Sequence, residues 1–185
     1  MKIFKTNAPE GFELALLVNS NDWDTLRFDG RSRQDSWVPV KMRSLLTDEF
    51  GQRRLESDFP GCAGGHMLLV RQSGVDALGD LLRASGELLP LENVGGGRLW
   101  TFNVTTLLDC LDERKSSLLR MPETGKIIRV KQPVFRLAAI AEHCAPLFKV
   151  VQMPYGIIYC TEVFMERVTS LALRGLEFRQ VWASD

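Results

Sequence analysis

The residues best suited to chemistry form an acidic cluster in the stretch WTFNVTTLLDCLDERKS. Asp109, Asp112 and Glu113 could act as paired carboxylates or hold a divalent cation, which needs several oxygen ligands converging on one point. Positions 109 and 112 share a face at helical spacing, but the sequence marks no partner acid elsewhere. A simpler interpretation is that Thr105 or Thr106 caps a short helical turn whose leucines are buried and whose acids face water. We therefore expect no metal and no catalytic acid here.

The thiols and imidazoles offer a second chemistry. Cys62 could be the nucleophile of a small thiol hydrolase if His143 lies within hydrogen-bond reach as its base. A zinc site built from Cys62, His66, His143 and Cys144 is disfavoured, because neither the C-x3-H spacing nor the adjacent His–Cys pair is typical of zinc modules. The remaining cysteines lie in apolar surroundings and are typical of small core residues. The glycine-rich phosphate loops and the H-E-x-x-H and G-x-S-x-G motifs are absent from the sequence.

Composition indicates an ordinary globular protein. The chain has 185 residues, of which 45% are hydrophobic and 25% charged, enough for one domain with a sizeable core. Its 23 basic and 23 acidic residues cancel, whereas a dedicated nucleic-acid binder is usually basic. We expect no cofactor and no direct nucleic-acid binding.

The start of the chain, MKIFKTNAPEGFE, has no apolar run of the about 7–15 residues that a signal peptide needs. No apolar run approaches the ~20 residues of a membrane span. The sequence therefore predicts a cytoplasmic protein that does not bind membranes, with free thiols at all four cysteines.

Charge is unevenly distributed along the chain. Residues 114–136 contain seven basic side chains against the single acid Glu123. The simpler interpretation is a solvated pair of strands with outward-facing charges. The alternatives are a docking face for an acidic partner and a weak nucleic-acid-binding module, whose affinity would fall steeply with salt.

Two helices are well marked. One is predicted over 73–85, with Ser73 as N-cap and Gly86 as the C-terminal stop. The other is predicted over 161–174, with Thr161 as N-cap and with a buried stripe of Phe164, Val168, Leu171 and Ala172. A weaker helix covers 135–145.

Most of the remaining chain has the patterns of strands. ELLPLE and RLWTFNV flank a glycine-rich loop and predict a hairpin, and we expect Trp100, Phe102 and Val104 to share one face. In LEFRQVW the apolar residues break alternation, which suggests a bulge or burial on both sides. The order of elements predicts an α+β fold: a mostly antiparallel, strand-rich single domain over 1–185 with two or three helices.

The order of several short segments carries a family resemblance. SDFP precedes SGVDALGDLL; GELLPLE, FNVTTLLDCLDERKS and FRLAAIAEHCAPLFKV follow; YCTEVFMERVTSLALRGLEFRQVW closes the series. In this order and spacing the chain resembles the immunity protein 11 family of bacterial polymorphic toxin systems. The resemblance covers nearly the whole chain, best over 57–182, and no single motif in it is chemically diagnostic.

The resemblance implies a non-enzymatic protein that binds and neutralises a cognate toxin, in several cases a nuclease, inside the producing cell. It brings no catalytic residues. Nuclease toxins tend to have basic clefts, so acidic patches are the expected contact surface, steering association electrostatically. The candidate partner-binding residues fall into two groups, Asp22, Asp24 and Asp29, and Asp48, Glu49, Glu56 and Asp58.

Overall fold

A computed structural model describes residues 1–62 and 67–184 of the protein. In that part of the chain strands dominate, and three α-helices and two short 3-10 helices interrupt them. The α+β fold class predicted from the sequence is confirmed. In chain order, the elements are β1 (Lys2–Asn7), β2 (Leu14–Leu17), two 3-10 helices (Ser20–Leu26 and Gln34–Ser36), β3 (Lys41–Leu45), β4 (Gly61–Cys62), β5 (Leu68–Arg71), α1 (Gln72–Arg83), β6 (Gly86–Val94), β7 (Leu99–Val104), β8 (Leu107–Leu108), β9 (Ser117–Arg120), β10 (Ile127–Gln132), α2 (Leu137–His143), β11 (Leu147–Val150), β12 (Tyr159–Thr161), α3 (Glu162–Ser170) and β13 (Glu177–Ala183).

The strands form two larger sheets and a ribbon. The five-stranded sheet has the order β13-β1-β12-β11-β8, and the six-stranded sheet has the order β4-β2-β3-β6-β7-β5. Among the strands of the described residues, β9 and β10 pair only with each other, as a two-stranded ribbon. Most pairings are antiparallel; β8 with β11, β2 with β4 and β3 with β6 are parallel.

Three apolar clusters hold these layers together. The first cluster joins both sheets to α1 and α3, with Phe4, Phe102 and Phe164 among its members. The second cluster lies on the other face of the five-stranded sheet, under the ribbon and α2. The third cluster lies on the other face of the six-stranded sheet, beneath the 3-10 segments. The five-stranded sheet and strands β5 and β7 of the six-stranded sheet are therefore covered on both faces, which explains why several strands lack simple alternation.

β7 illustrates this two-sided burial. Phe102 and Val104 point into the first cluster, whereas Leu99 belongs to the third cluster on the opposite face. The predicted hairpin with β6 is confirmed, with Leu88 opposite Phe102 and Pro90 opposite Trp100. The bulge predicted near the end of the chain is also found: β13 shifts register against β1 between Ile3 and Phe4.

The stretch after β7 differs from its prediction. Leu107 and Leu108 form β8, not a capped helical turn, because the backbone of β11 offers them a parallel partner. The backbone N–H groups of Thr105 and Thr106 both donate to the carbonyl of Ser85 instead of beginning a turn. The predicted burial of Leu108 and Leu111 is nevertheless confirmed, and Cys110 is buried as expected.

The predicted ends of α1 are wrong. α1 begins at Gln72, one residue before the predicted cap, and the Ser73 hydroxyl donates to the Asp58 carboxylate instead of capping the helix. Gly86 is the first residue of β6, not a helix stop. A Cβ at this position would overlap the carbonyl oxygen of Asn103 and lie 3.0 Å from Val104 Cα. The glycine is needed there for the close approach of two strands.

α3 is shorter than predicted. It ends at Ser170, so Leu171 and Ala172 are exposed instead of completing the buried stripe, while Phe164 and Val168 are buried as expected. Gly175 adopts a φ of +99°, against the backbone of Phe59. No helix in the described part of the chain is long and apolar enough to cross a membrane.

Candidate functional site

The carboxylates of Asp109, Asp112 and Glu113 do not converge on one point, because each has its own partners. Asp109 is exposed, forms an ion pair with Arg136 at 2.8 Å and accepts a hydrogen bond from Gln152. Asp112 accepts hydrogen bonds from the backbone N–H groups of the residues two and three positions later, which closes a turn. Glu113 pairs with Arg120 at 2.6 Å. Within residues 1–62 and 67–184, no group of three potential metal ligands is close enough to share an ion.

Cys62 lies in β4 with its side chain against the third cluster, while His143 is exposed at the end of α2, which packs on the second cluster. The cavity that Cys62 lines contains no histidine or carboxylate from the described residues. Burial raises the pKa of the Cys62 thiol to about 11. A nucleophilic cysteine needs the opposite shift, so the geometry gives no support to the Cys62–His143 hydrolase. His66, named in the zinc alternative, lies outside the described residues.

Lys149 is a buried charge that the sequence did not mark. Its side chain is 5% exposed within β11, and its Nζ donates to the carbonyl oxygens of Phe28 and Pro154 at 2.9 and 3.0 Å. Burial lowers the pKa of Lys149 to about 8, and the charge of Asp29 raises it in part. The two hydrogen bonds attach the segment after the first 3-10 helix and the loop after β11 to that strand. One lysine inside an apolar run, FKVV, was the only sequence signal of this role.

The first group of candidate acids lies on and after the first 3-10 helix. Asp29 is mostly buried and lies between Arg31 and Arg33, at 3.6 and 3.8 Å. Asp24 is exposed, with Arg27 at 3.6 Å. Asp22 has no ion-pair partner among the described residues. Asp29 is therefore neutralised within the molecule, Asp24 has an exposed partner in Arg27, and Asp22 is unpaired among the described residues.

The second group of acids lies along the loop that joins β3 to β4. Asp48 and Glu49 are in its first part, and Glu56 and Asp58 are near its end. Asp58 is occupied internally: one carboxylate oxygen accepts from Ser73 and the other from the backbone N–H of Arg174 at 2.7 Å. Glu56 forms an exposed pair with Arg53 at 3.4 Å, a kind of pair that contributes little to stability. Glu49 is exposed and has no ion-pair partner among residues 1–62 and 67–184.

The tip of this loop, residues 46–55, has a defined backbone. Thr47 forms an isolated antiparallel bridge with Arg53. Asp48 holds the turn, because its Oδ1 accepts from the backbone N–H groups of Phe50 and Gln52 at 2.9 and 2.8 Å. Phe50 stands at the turn with 79% of its surface exposed. We call residues 46–55 the acidic tip after Asp48 and Glu49 at its turn; Arg53 and Arg54, which follow the turn, balance these two charges.

The basic stretch 114–136 forms the β9–β10 ribbon and its flanks. The expected solvated strand pair is confirmed: all seven cations are exposed, while Ile127 and Val130 point inward. Arg120 and Arg136 are paired with acids, as described above. Arg129 and Lys131 instead line a groove beside the five-stranded sheet.

In comparisons with known proteins, no family model matches the chain, and no curated protein matches it either.

Proposed function

We propose that this chain is a binding protein that neutralises a bacterial toxin by direct protein–protein contact, and that the acidic tip is the centre of the contact. Phe50 supports this proposal. This phenylalanine has 79% of its surface in water, so covering it with a partner lowers the free energy of the complex. Buried aromatic anchors dominate many interfaces.

The geometry of the tip supports the same role. The bridge between Thr47 and Arg53 and the two hydrogen bonds to Asp48 fix the backbone that carries Phe50 before any partner arrives. A preorganised loop loses less conformational entropy on binding, so more of the contact energy appears as affinity. Glu49 beside the aromatic adds an unpaired negative charge, which suits the basic substrate cleft of a nuclease.

The resemblance of the segment order to the immunity protein 11 family supports one class of partner, a toxin encoded beside this gene. The binding mode requires no cofactor and no chemical step, because occupying the toxin's functional surface is enough to block it.

Co-expression tests this function. The chain is produced with each secreted effector encoded beside its gene, and growth and co-purification are measured. We expect one effector to be toxic alone, harmless with the wild-type chain, and toxic again with Phe50→Ala.

Val38→Ala is the matched control. Val38 is an equally exposed apolar side chain, at 73%, that lies outside the acidic tip, so this variant should still rescue growth. Both variants should keep the wild-type circular dichroism spectrum. If no neighbouring effector is neutralised or co-purifies, the proposed function is wrong; if rescue survives Phe50→Ala, the acidic tip is not its centre.

A further inference from the structure

A groove of about 410 Å³ lies between the five-stranded sheet and the β9–β10 ribbon. Its floor is a row of side chains from β12, β1 and β13, and its rim is β10. Four cations line it, Lys5 and Arg179 on the sheet and Arg129 and Lys131 on the ribbon, and among the described residues no acid lines it. The whole chain has equal numbers of acids and bases, so the groove is a local concentration of positive charge.

The register of the sheet makes the imbalance more pronounced. Lys5 lies directly opposite Arg179 on the neighbouring antiparallel strand. Like charges at directly opposed positions destabilise a sheet, whereas an opposite charge on either strand would stabilise it. The arrangement therefore opposes folding, and an anion bound between the two cations would relieve their repulsion.

No anion within the described molecule does so. Among residues 1–62 and 67–184, none of the four cations takes part in an ion pair, as is also true of exposed cations outside the groove such as Arg114 and Lys126. A concave surface lined by one sign of charge concentrates its field and attracts ligands of opposite sign.

We propose that this groove binds an extended acidic segment of a partner protein, with side-chain carboxylates seated between the sheet and the ribbon. Gln132 and Gln180 also line the groove and can bond to a peptide backbone. Nucleic acid fits less well, because single strands are bound by stacking bases on exposed aromatics and the one aromatic of the lining, Tyr159, is 3% exposed. The inference does not rest on the acidic tip, since it involves other residues.

Fluorescence anisotropy with labelled decaglutamate tests the proposal, at about 0.15 M salt, where charges beyond ~8 Å are screened. We expect saturable binding that weakens by about tenfold or more in Lys5→Gln/Arg179→Gln and in Arg129→Gln/Lys131→Gln, a loss of about 1.4 kcal/mol per tenfold. The matched control, Arg114→Gln/Lys126→Gln, removes two exposed cations that do not line the groove and should change binding less than about twofold.

A second measurement separates a binding role from a structural one. Because Lys5 and Arg179 repel each other, Lys5→Gln should raise the melting temperature, by about 1–3 °C, while it weakens binding. The proposal is overturned if decaglutamate does not bind, if the control pair weakens binding as much as the groove pairs, if labelled decathymidine binds more tightly, or if Lys5→Gln lowers the melting temperature.

Discussion

Arg71 Nη2 lies 2.6 Å from Glu13 Oε2, and the Glu13 side chain is only 2% exposed. Arg71 belongs to β5, at one end of the six-stranded sheet, while Glu13 directly precedes β2, beside β4 at the other end. The ion pair thus joins the two ends of a sheet that curls back on itself. Arg71 also donates to Ser44 and to the carbonyl of Gly97, at 3.0 and 3.3 Å, and so ties the edge strand to β3 and to the loop between β6 and β7.

Arg71→Met should destabilise the protein by about 3 kcal/mol or more, because it leaves the Glu13 carboxylate buried without its counterion. Urea unfolding measures the change. The matched control is Arg53→Met, which breaks the exposed pair with Glu56 and should change stability by less than about 1 kcal/mol. Equal losses in the two variants would contradict a structural role for the buried pair.

Gly86→Ala should destabilise the protein by about 2 kcal/mol or more, because the added methyl group meets the backbone of β7 at Asn103, which cannot move without disturbing the hairpin. Gly97→Ala is the control in the same hairpin: its Cβ would meet nothing closer than Arg71 Nη1 at 3.9 Å, so we expect a change within about 0.5 kcal/mol. Thermal unfolding of the two variants compares them directly. A Gly86→Ala protein as stable as wild type would show that the strands separate easily at this point.

The sequence predicted the features that depend on neighbouring residues. The β6–β7 hairpin follows from two apolar runs around a glycine loop, and the β13 bulge follows from broken alternation. It could not predict β8, whose strand conformation depends on pairing with β11 some forty residues later. Likewise, the sequence could not predict that Lys5 lies opposite Arg179, because this pairing depends on the register between strands from the two ends of the chain. The exposure of Phe50 could not be read from its type, since phenylalanine is usually buried.

Stability should fall at alkaline pH, because burial raises the pKa of Cys110 and Cys160 to about 12. In the unfolded chain these thiols lose their protons near pH 9, so the folded state holds more protons between pH 9 and 12. This contribution is therefore complete below pH 9 and is lost as the pH rises toward 12. Between pH 8 and 10, the contribution of one such thiol to the free energy of unfolding falls by about 1.4 kcal/mol. Lys149, whose pKa burial lowers to about 8, acts with the opposite sign over about pH 8–10.5.

Comparing the pH dependence of the free energy of unfolding between wild type and Cys160→Ala isolates the contribution of that thiol. Urea unfolding of wild type and Cys160→Ala under reducing conditions should show that the variant loses about 1.4 kcal/mol less between pH 8 and pH 10. Cys144→Ala removes an exposed thiol and should keep the wild-type profile. Parallel profiles for Cys160→Ala and wild type would show that burial of Cys160 does not couple its titration to folding.

The proposed toxin contact at the acidic tip should have rate constants that Glu49 and Phe50 control differently. Glu49 is exposed and unpaired within the described part of the chain, so its charge acts at long range. Glu49→Lys should lower the association rate severalfold at low salt, and the effect should shrink as salt screens the charge. Phe50→Ala removes contact area and should mainly raise the dissociation rate. Surface plasmon resonance against the neutralised effector separates the two rates.

Asp76→Lys, which changes an acid on α1 outside the tip, is the charge-matched control and should leave the association rate within about twofold of wild type. An equal slowing by Asp76→Lys would mean that net charge, and not the acidic tip, steers the encounter.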